Sequence, residues 1–129
     1  MEEKEVIQTL KKYSKVVPTG SFYICDPPHE DTDRDYFVLH SWAIHKELLK
    51  AGFNPTPDCS YEHNFKSYRR GAVNVITVVH EDDLDKVELA TSVARHLNLH
   101  NKEDRLVVFN AIRYGVYLAD LSTEIANVE

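Results

Sequence analysis

The chain has 129 residues, a net charge of −6 and 43% hydrophobic residues, enough for one domain that buries a core without disulfide or metal support. That charge argues against coating nucleic acid through bulk electrostatics, which rests on a clustered excess of Lys and Arg. No apolar run reaches the length of a membrane span, and the start Met1-Glu2-Glu3-Lys4-Glu5 lacks the basic and apolar regions of a signal peptide, so a cytoplasmic location is expected.

Val6, Ile7, Leu10 and Tyr13 recur at helical spacing among charged neighbours, which predicts a first amphipathic helix over 3–13. Pro18-Thr19-Gly20 reads as a closing turn, and the aromatic and β-branched run Phe22-Tyr23-Ile24-Cys25 as a strand. Asp26 to Thr32 is a loop, because paired prolines cannot hold a central strand. A second strand follows over Asp35 to Leu39, with Phe37 and Leu39 facing a core. Ser41 is a good N-cap for a helix over 42–51 that buries Ile44, Leu48 and Leu49 and ends at Ala51-Gly52.

Asn54 to Asp58 reads as an extended loop. Phe65 to Arg69 and Val73 to Val79 then form an antiparallel hairpin across Arg70-Gly71-Ala72. Asp82-Asp83 opens a helix with a stripe of Leu84, Val87, Ala90 or Thr91, Ala94 and Leu97. Asn101 caps a last helix carrying Leu106, Phe109, Ile112 and Val116, after which Leu118 to Glu129 either extends helically or frays. The expected class is α+β: a small mixed sheet packed by helices, with a core over about 15–80 and a C-terminal helical segment over about 82–129.

Chemistry is concentrated in Thr19-Gly20-Ser21 and in Asp33-Arg34-Asp35, with eleven residues between Ser21 and Asp33. Acids at i and i+2 of a strand point to one face. Such a pair suits Mg²⁺ or Mn²⁺, since Mg²⁺ typically takes one or two protein carboxylates and completes its shell with water and phosphates. The same residues also fit a solvated acidic turn, and Gly20-Ser21 a plain tight turn. Cys25 and Cys59 are expected as reduced residues, and the seven histidines, at 29, 40, 45, 63, 80, 96 and 100, have no zinc-ligand spacing.

In order and spacing, Gly20, Ser21, Asp33 and Asp35 resemble the nucleotidyltransferase superfamily of the DNA polymerase β type. Its signature is an apolar-Gly-Gly/Ser turn, a gap of about ten residues, then alternating acids and apolar residues on a strand. The resemblance implies a single small stand-alone domain. In it Asp33 and Asp35 hold Mg²⁺ (or Mn²⁺), Gly20 and Ser21 contact a nucleoside triphosphate, and a nucleotidyl group passes to a hydroxyl acceptor with loss of pyrophosphate. The acceptor is a small molecule, a protein or an RNA end. Thr19 and Arg34 stand where the family has apolar residues. At the family's third carboxylate the chain has Asn74, which cannot take a proton from a hydroxyl but can still contact a metal or substrate. Glu62 and Glu81 are the nearby acids that would substitute.

Two basic groups complete the candidate site. Ser67 and Arg69 share a strand face, beside Lys66 and Arg70, and read either as a phosphate clamp or as charge balance for the acidic loop. Lys102 and Arg105, with Arg113 further along, start a helix where cations oppose the dipole, which points to a phosphate or acidic partner or to plain surface charge. Trp42 and the tyrosines read as platforms for a stacked base or, for most of them, as core or boundary residues. Two alternatives stand beside transfer: a catalytically silent nucleotide- or protein-binding module of the same fold, and an interaction protein whose acid pair is coincidental.

Overall fold

The computed structural model describes residues 1–28, 33–56 and 65–114. Their order is α1 (Glu3–Leu10), β1 (Val17–Thr19), α2 (Gly20–Ile24), β2 (Arg34–Leu39), α3 (Trp42–Lys50), β3 (Asn54–Thr56), β4 (Lys66–Arg70), β5 (Val73–Val78), α4 (Glu81–His96) and α5 (Lys102–Arg113). The strands form one mixed sheet in the order β1-β2-β5-β4-β3, with β2 and β5 parallel and every other pair antiparallel. The class is α+β, and no described helix is long and apolar enough to cross a membrane.

Strand alternation sorts the core into two layers. Val38, Tyr68, Val73 and Val75 meet Val6 and Leu10 of α1 and Ile44 and Leu48 of α3 on one face. Val17, Phe37, Ile76 and Val78 meet Ile24, the α4 residues Leu84, Val87, Ala90 and Ala94, and Phe109 of α5 on the other. The Ser41 side chain accepts from the Ile44 amide, and Asn101 from Glu103, so both helices start at their caps. In the two-residue β4–β5 turn Gly71 takes φ 58°, the positive value that primed hairpin turns require.

Several local expectations change. Phe22 to Cys25 is not a strand: Gly20–Ile24 is a helical turn that buries Ile24 and leaves Phe22 exposed. A four-residue apolar run carries no period that separates the two states. Pro18 lies in a strand rather than a turn, and the expected loop at Asn54 begins with a strand; β1 and β3 are the sheet edges, where proline is tolerated.

The first helix stops at Leu10 because Lys12 and Tyr13 bond back three residues, to Thr9 and Leu10, and Tyr13 is exposed. Leu49, Leu97 and Leu106 are exposed too, leaving Phe109 as the buried residue of α5. Trp42 lies outside the core: the residue is 71% exposed and stacks on His45, whose Nδ1 lies 2.6 Å from the hydroxyl of buried Tyr68. Glu81 opens α4 beyond the opposite end of β5 from Asn74. The expectations for His29 to Thr32, for Cys59, Glu62 and His63, and for Val116 and the tail lie outside the described residues.

Candidate functional site

One transverse row of the sheet carries Thr19, Asp35, Asn74 and Arg69, each register partner of the next across β1, β2, β5 and β4. Registered residues share a face. This is the face of Phe37 and Ile76, so the strands that build the core under α4 also present a polar row near the start of β2 and β5.

Above the row lies a cavity of about 250 Å³. Asp33 and Asp35 line it from β2 and the residue before it, Asn74 and Arg69 from the hairpin, and Gly20 and Ser21 from the start of α2. Lys102 and Arg105 close it from α5, with Leu106 and Phe109 as its apolar wall.

Gly20 is shaped for this position. Its φ is 81°, and a Cβ there would stand 2.7 Å from Asp35 Oδ2, so any side chain would press on the carboxylate. Thr19, just before it, is buried, and its hydroxyl lies 2.7 Å from that of Thr91, fixing β1 to α4. Asp33 is more open: its Oδ2 accepts from Arg69 Nη1 at 2.9 Å, with the two side chains 47% and 40% exposed. An ion pair so exposed contributes about 1 kcal/mol or less and yields readily to a stronger partner.

Ser67 belongs to the site differently from expectation. It does not line the cavity; it is buried and its hydroxyl donates to Asn74 Oδ1 at 2.6 Å. The two basic groups also divide. Alternation sends Arg70 to the opposite face, where it donates to the carbonyls of Ala51 and Met1, while Lys66 stands over the Tyr68 ring. Arg113 lies over the Phe65 ring, about two turns beyond Arg105 and three beyond Lys102, which line the cavity. Arg105, expected only as a member of the second basic group, lines the cavity beside Lys102. It donates to the carbonyls of Leu99 and His100, bracing the α4–α5 turn, and its phase beside Lys102 was the only sequence signal for it.

Among the described residues no group of three or more His, Cys, Asp or Glu is placed to hold a metal ion. The donor set instead fits an ion that draws part of its shell from a ligand. Two carboxylates, Asp33 and Asp35, line the cavity together with the cations Arg69, Lys102 and Arg105. Compared with protein-family models, curated protein sequences and solved structures, the chain has no significant match.

Proposed function

We propose that this cavity binds a nucleoside triphosphate together with Mg²⁺ or Mn²⁺ and that the protein transfers a nucleotidyl group to a hydroxyl acceptor. The observation that carries this reading is the convergence on one cavity of Gly20, Ser21, Asp33, Asp35, Asn74, Arg69 and Lys102, residues drawn from distant parts of the chain. A bound divalent ion would neutralise phosphate charge and orient the α-phosphorus for in-line displacement. Asp33 and Asp35 would hold it, and Arg69 and Lys102 would offset the negative charge of the phosphate chain. The acceptor oxygen attacks the α-phosphorus, the bond to pyrophosphate breaks, and the hydroxyl proton passes to a base. The reading implies a cytoplasmic location, where nucleoside triphosphates are available.

Asn74 favours a second reading. In the row beside Asp35 it offers an amide where a third acid would act as base, which suits a silent module that binds the nucleotide without turnover. The test takes ATP, GTP, CTP and UTP in turn, with and without Mg²⁺ or Mn²⁺, and reads thermal unfolding and pyrophosphate release. A ligand at about 100 times its Kd stabilises the native state by about 2.7 kcal/mol. Asp33→Ala and Asp35→Ala are expected to remove that metal-dependent shift and leave the unliganded midpoint nearly unchanged. An equal shift in wild type and both variants excludes these ligands; pyrophosphate release separates transferase from silent module.

A further inference from the structure

The Ser67–Asn74 pair has a consequence beyond the absence of a base. Both residues are 4% exposed, and the Ser67 hydroxyl holds Asn74 Oδ1 at 2.6 Å from the β4 side. In the order β1-β2-β5-β4-β3, β5 lies between β4 and β2, so fixing the amide oxygen toward β4 turns Nδ2 away from it, toward Asp35 and the cavity. No described residue accepts a hydrogen bond from Asn74 Nδ2. Nor does any buried side-chain nitrogen or oxygen lack a partner among the described residues, so Nδ2 is not sealed inside the protein. It is a donor on an otherwise buried side chain that lines the same cavity as Asp35 and Arg69.

We infer that Ser67 is a positioning residue that makes Asn74 a hydrogen-bond donor to an anionic oxygen of the bound ligand, rather than a metal ligand. An amide has one acceptor oxygen and one donor NH₂ group. With the oxygen turned to Ser67, the group that position 74 offers to a ligand is the NH₂, a donor suited to a phosphate oxygen in the cavity that Arg69 also lines. The neighbouring carboxylate selects this orientation: flipped by a half-turn, the amide would still find a partner in the Ser67 hydroxyl, but its oxygen would face Asp35, acceptor against carboxylate. The inference rests on the triphosphate reading of the cavity and adds which atom of position 74 meets the ligand.

The test is side-chain amide NMR on the ¹⁵N-labelled full chain, with the Asn74 NH₂ pair assigned by its loss in Asn74→Ser. Mg²⁺ with each of ATP, GTP, CTP and UTP is the probe. In wild type the Asn74 pair is expected to shift on addition of a triphosphate that also stabilises the protein. Ser67→Ala is expected to weaken that ligand about ten-fold, the scale of one hydrogen bond to a charged group, and Ser67→Thr, which keeps the hydroxyl, to restore it. An Asn74 pair that stays unmoved while the ligand binds in an Asp35-dependent way overturns the inference and leaves the site reading intact. So does a folded Ser67→Ala variant of wild-type affinity. If no triphosphate binds wild type under any metal condition, both readings fall. The wild-type spectrum decides the matter even if Ser67→Ala fails to fold.

Discussion

The two faces of one sheet are built to different ends. Under α1 and α3 the strands present Val38, Tyr68, Val73 and Val75, which with Leu10, Ile44, Leu48 and Phe53 form a continuous apolar layer. Under α4 and α5 the same strands are apolar only from Phe37 and Ile76 onward, and the preceding row is Thr19, Asp35, Asn74 and Arg69. Burying polar groups is unfavourable unless they are hydrogen-bonded, and here Thr19 has Thr91 and Asn74 has Ser67. Both faces therefore bury a core, but only one of them also holds a polar row whose arrangement the fold alone does not require.

The largest effect that tests this division is on the apolar face. Phe53 is 1% exposed, with the Arg70 guanidinium over its ring, and lies across the sheet from the cavity. Phe53→Ala is expected to destabilise the protein by about 3–5 kcal/mol, the cost of emptying a large core position. Denaturant unfolding measures it. The metal-dependent triphosphate shift, scaled to the folded fraction, is expected to survive; its loss would mean that the faces are not separable.

Position 74 sharpens the contrast from the other side. The Ser67 hydroxyl that serves Oδ1 would serve a carboxylate equally, so Asn74→Asp keeps the buried hydrogen bond and sets a second oxygen where the NH₂ group now opens to the cavity. If a base is what the site lacks, pyrophosphate release with a panel of hydroxyl acceptors is expected to rise by about 10²–10⁴, the usual worth of a positioned acid or base; if the Asn74 NH₂ holds a phosphate oxygen, the new charge weakens triphosphate binding instead. Without a divalent ion the variant is expected to be less stable than wild type, because the new charge stands beside Asp35, and added Mg²⁺ should reverse the order. Fast wild-type turnover that the substitution leaves unchanged would assign the base to another residue.

How far each of these features could be read in advance follows from its physics. Asp33 and Asp35 were legible as a pair because the two-residue period of a strand fixes a shared face wherever the strand lies. Ser41 and Asn101 were legible because capping is local. By contrast, α2 was hidden in Phe22 to Cys25, a run too short to show a period, and β1 and β3 behind Pro18 and Pro55, since only the sheet order reveals that these prolines sit at edges. Ser67 was correctly placed on the face of Arg69, yet alternation gives a face and not a neighbour, so its bond to Asn74 needed the β4–β5 register. Arg105 and Arg113 looked alike until the packing of α5 turned one to the cavity and the other to Phe65.

The smallest expected effect concerns the edge of the apolar face, where α1 meets β2. Glu3 there accepts from Arg34 Nε through one oxygen and from the Tyr36 hydroxyl through the other, both at 2.7 Å. Burial, and after it the hydrogen bond to Glu3 and the charge of Glu3, push the Tyr36 phenol up to about 12 from 10.0, with Arg34 opposing. A phenol whose pKa is raised by folding stabilises the native state in its protonated form. That contribution is whole below pH 10, the unfolded value, and is lost as pH rises through 12. Between those limits the thermal midpoint of wild type is expected to fall more steeply than that of Tyr36→Phe, which has no proton to lose. The wild-type-minus-variant ultraviolet absorbance should show one tyrosinate forming late in the titration. Parallel midpoints, or a Tyr36 signal that appears with the exposed tyrosines, would show that the Glu3 contact does not hold the phenol, and α1 would then be held by the Glu3–Arg34 pair and by the burial of Val6 and Leu10.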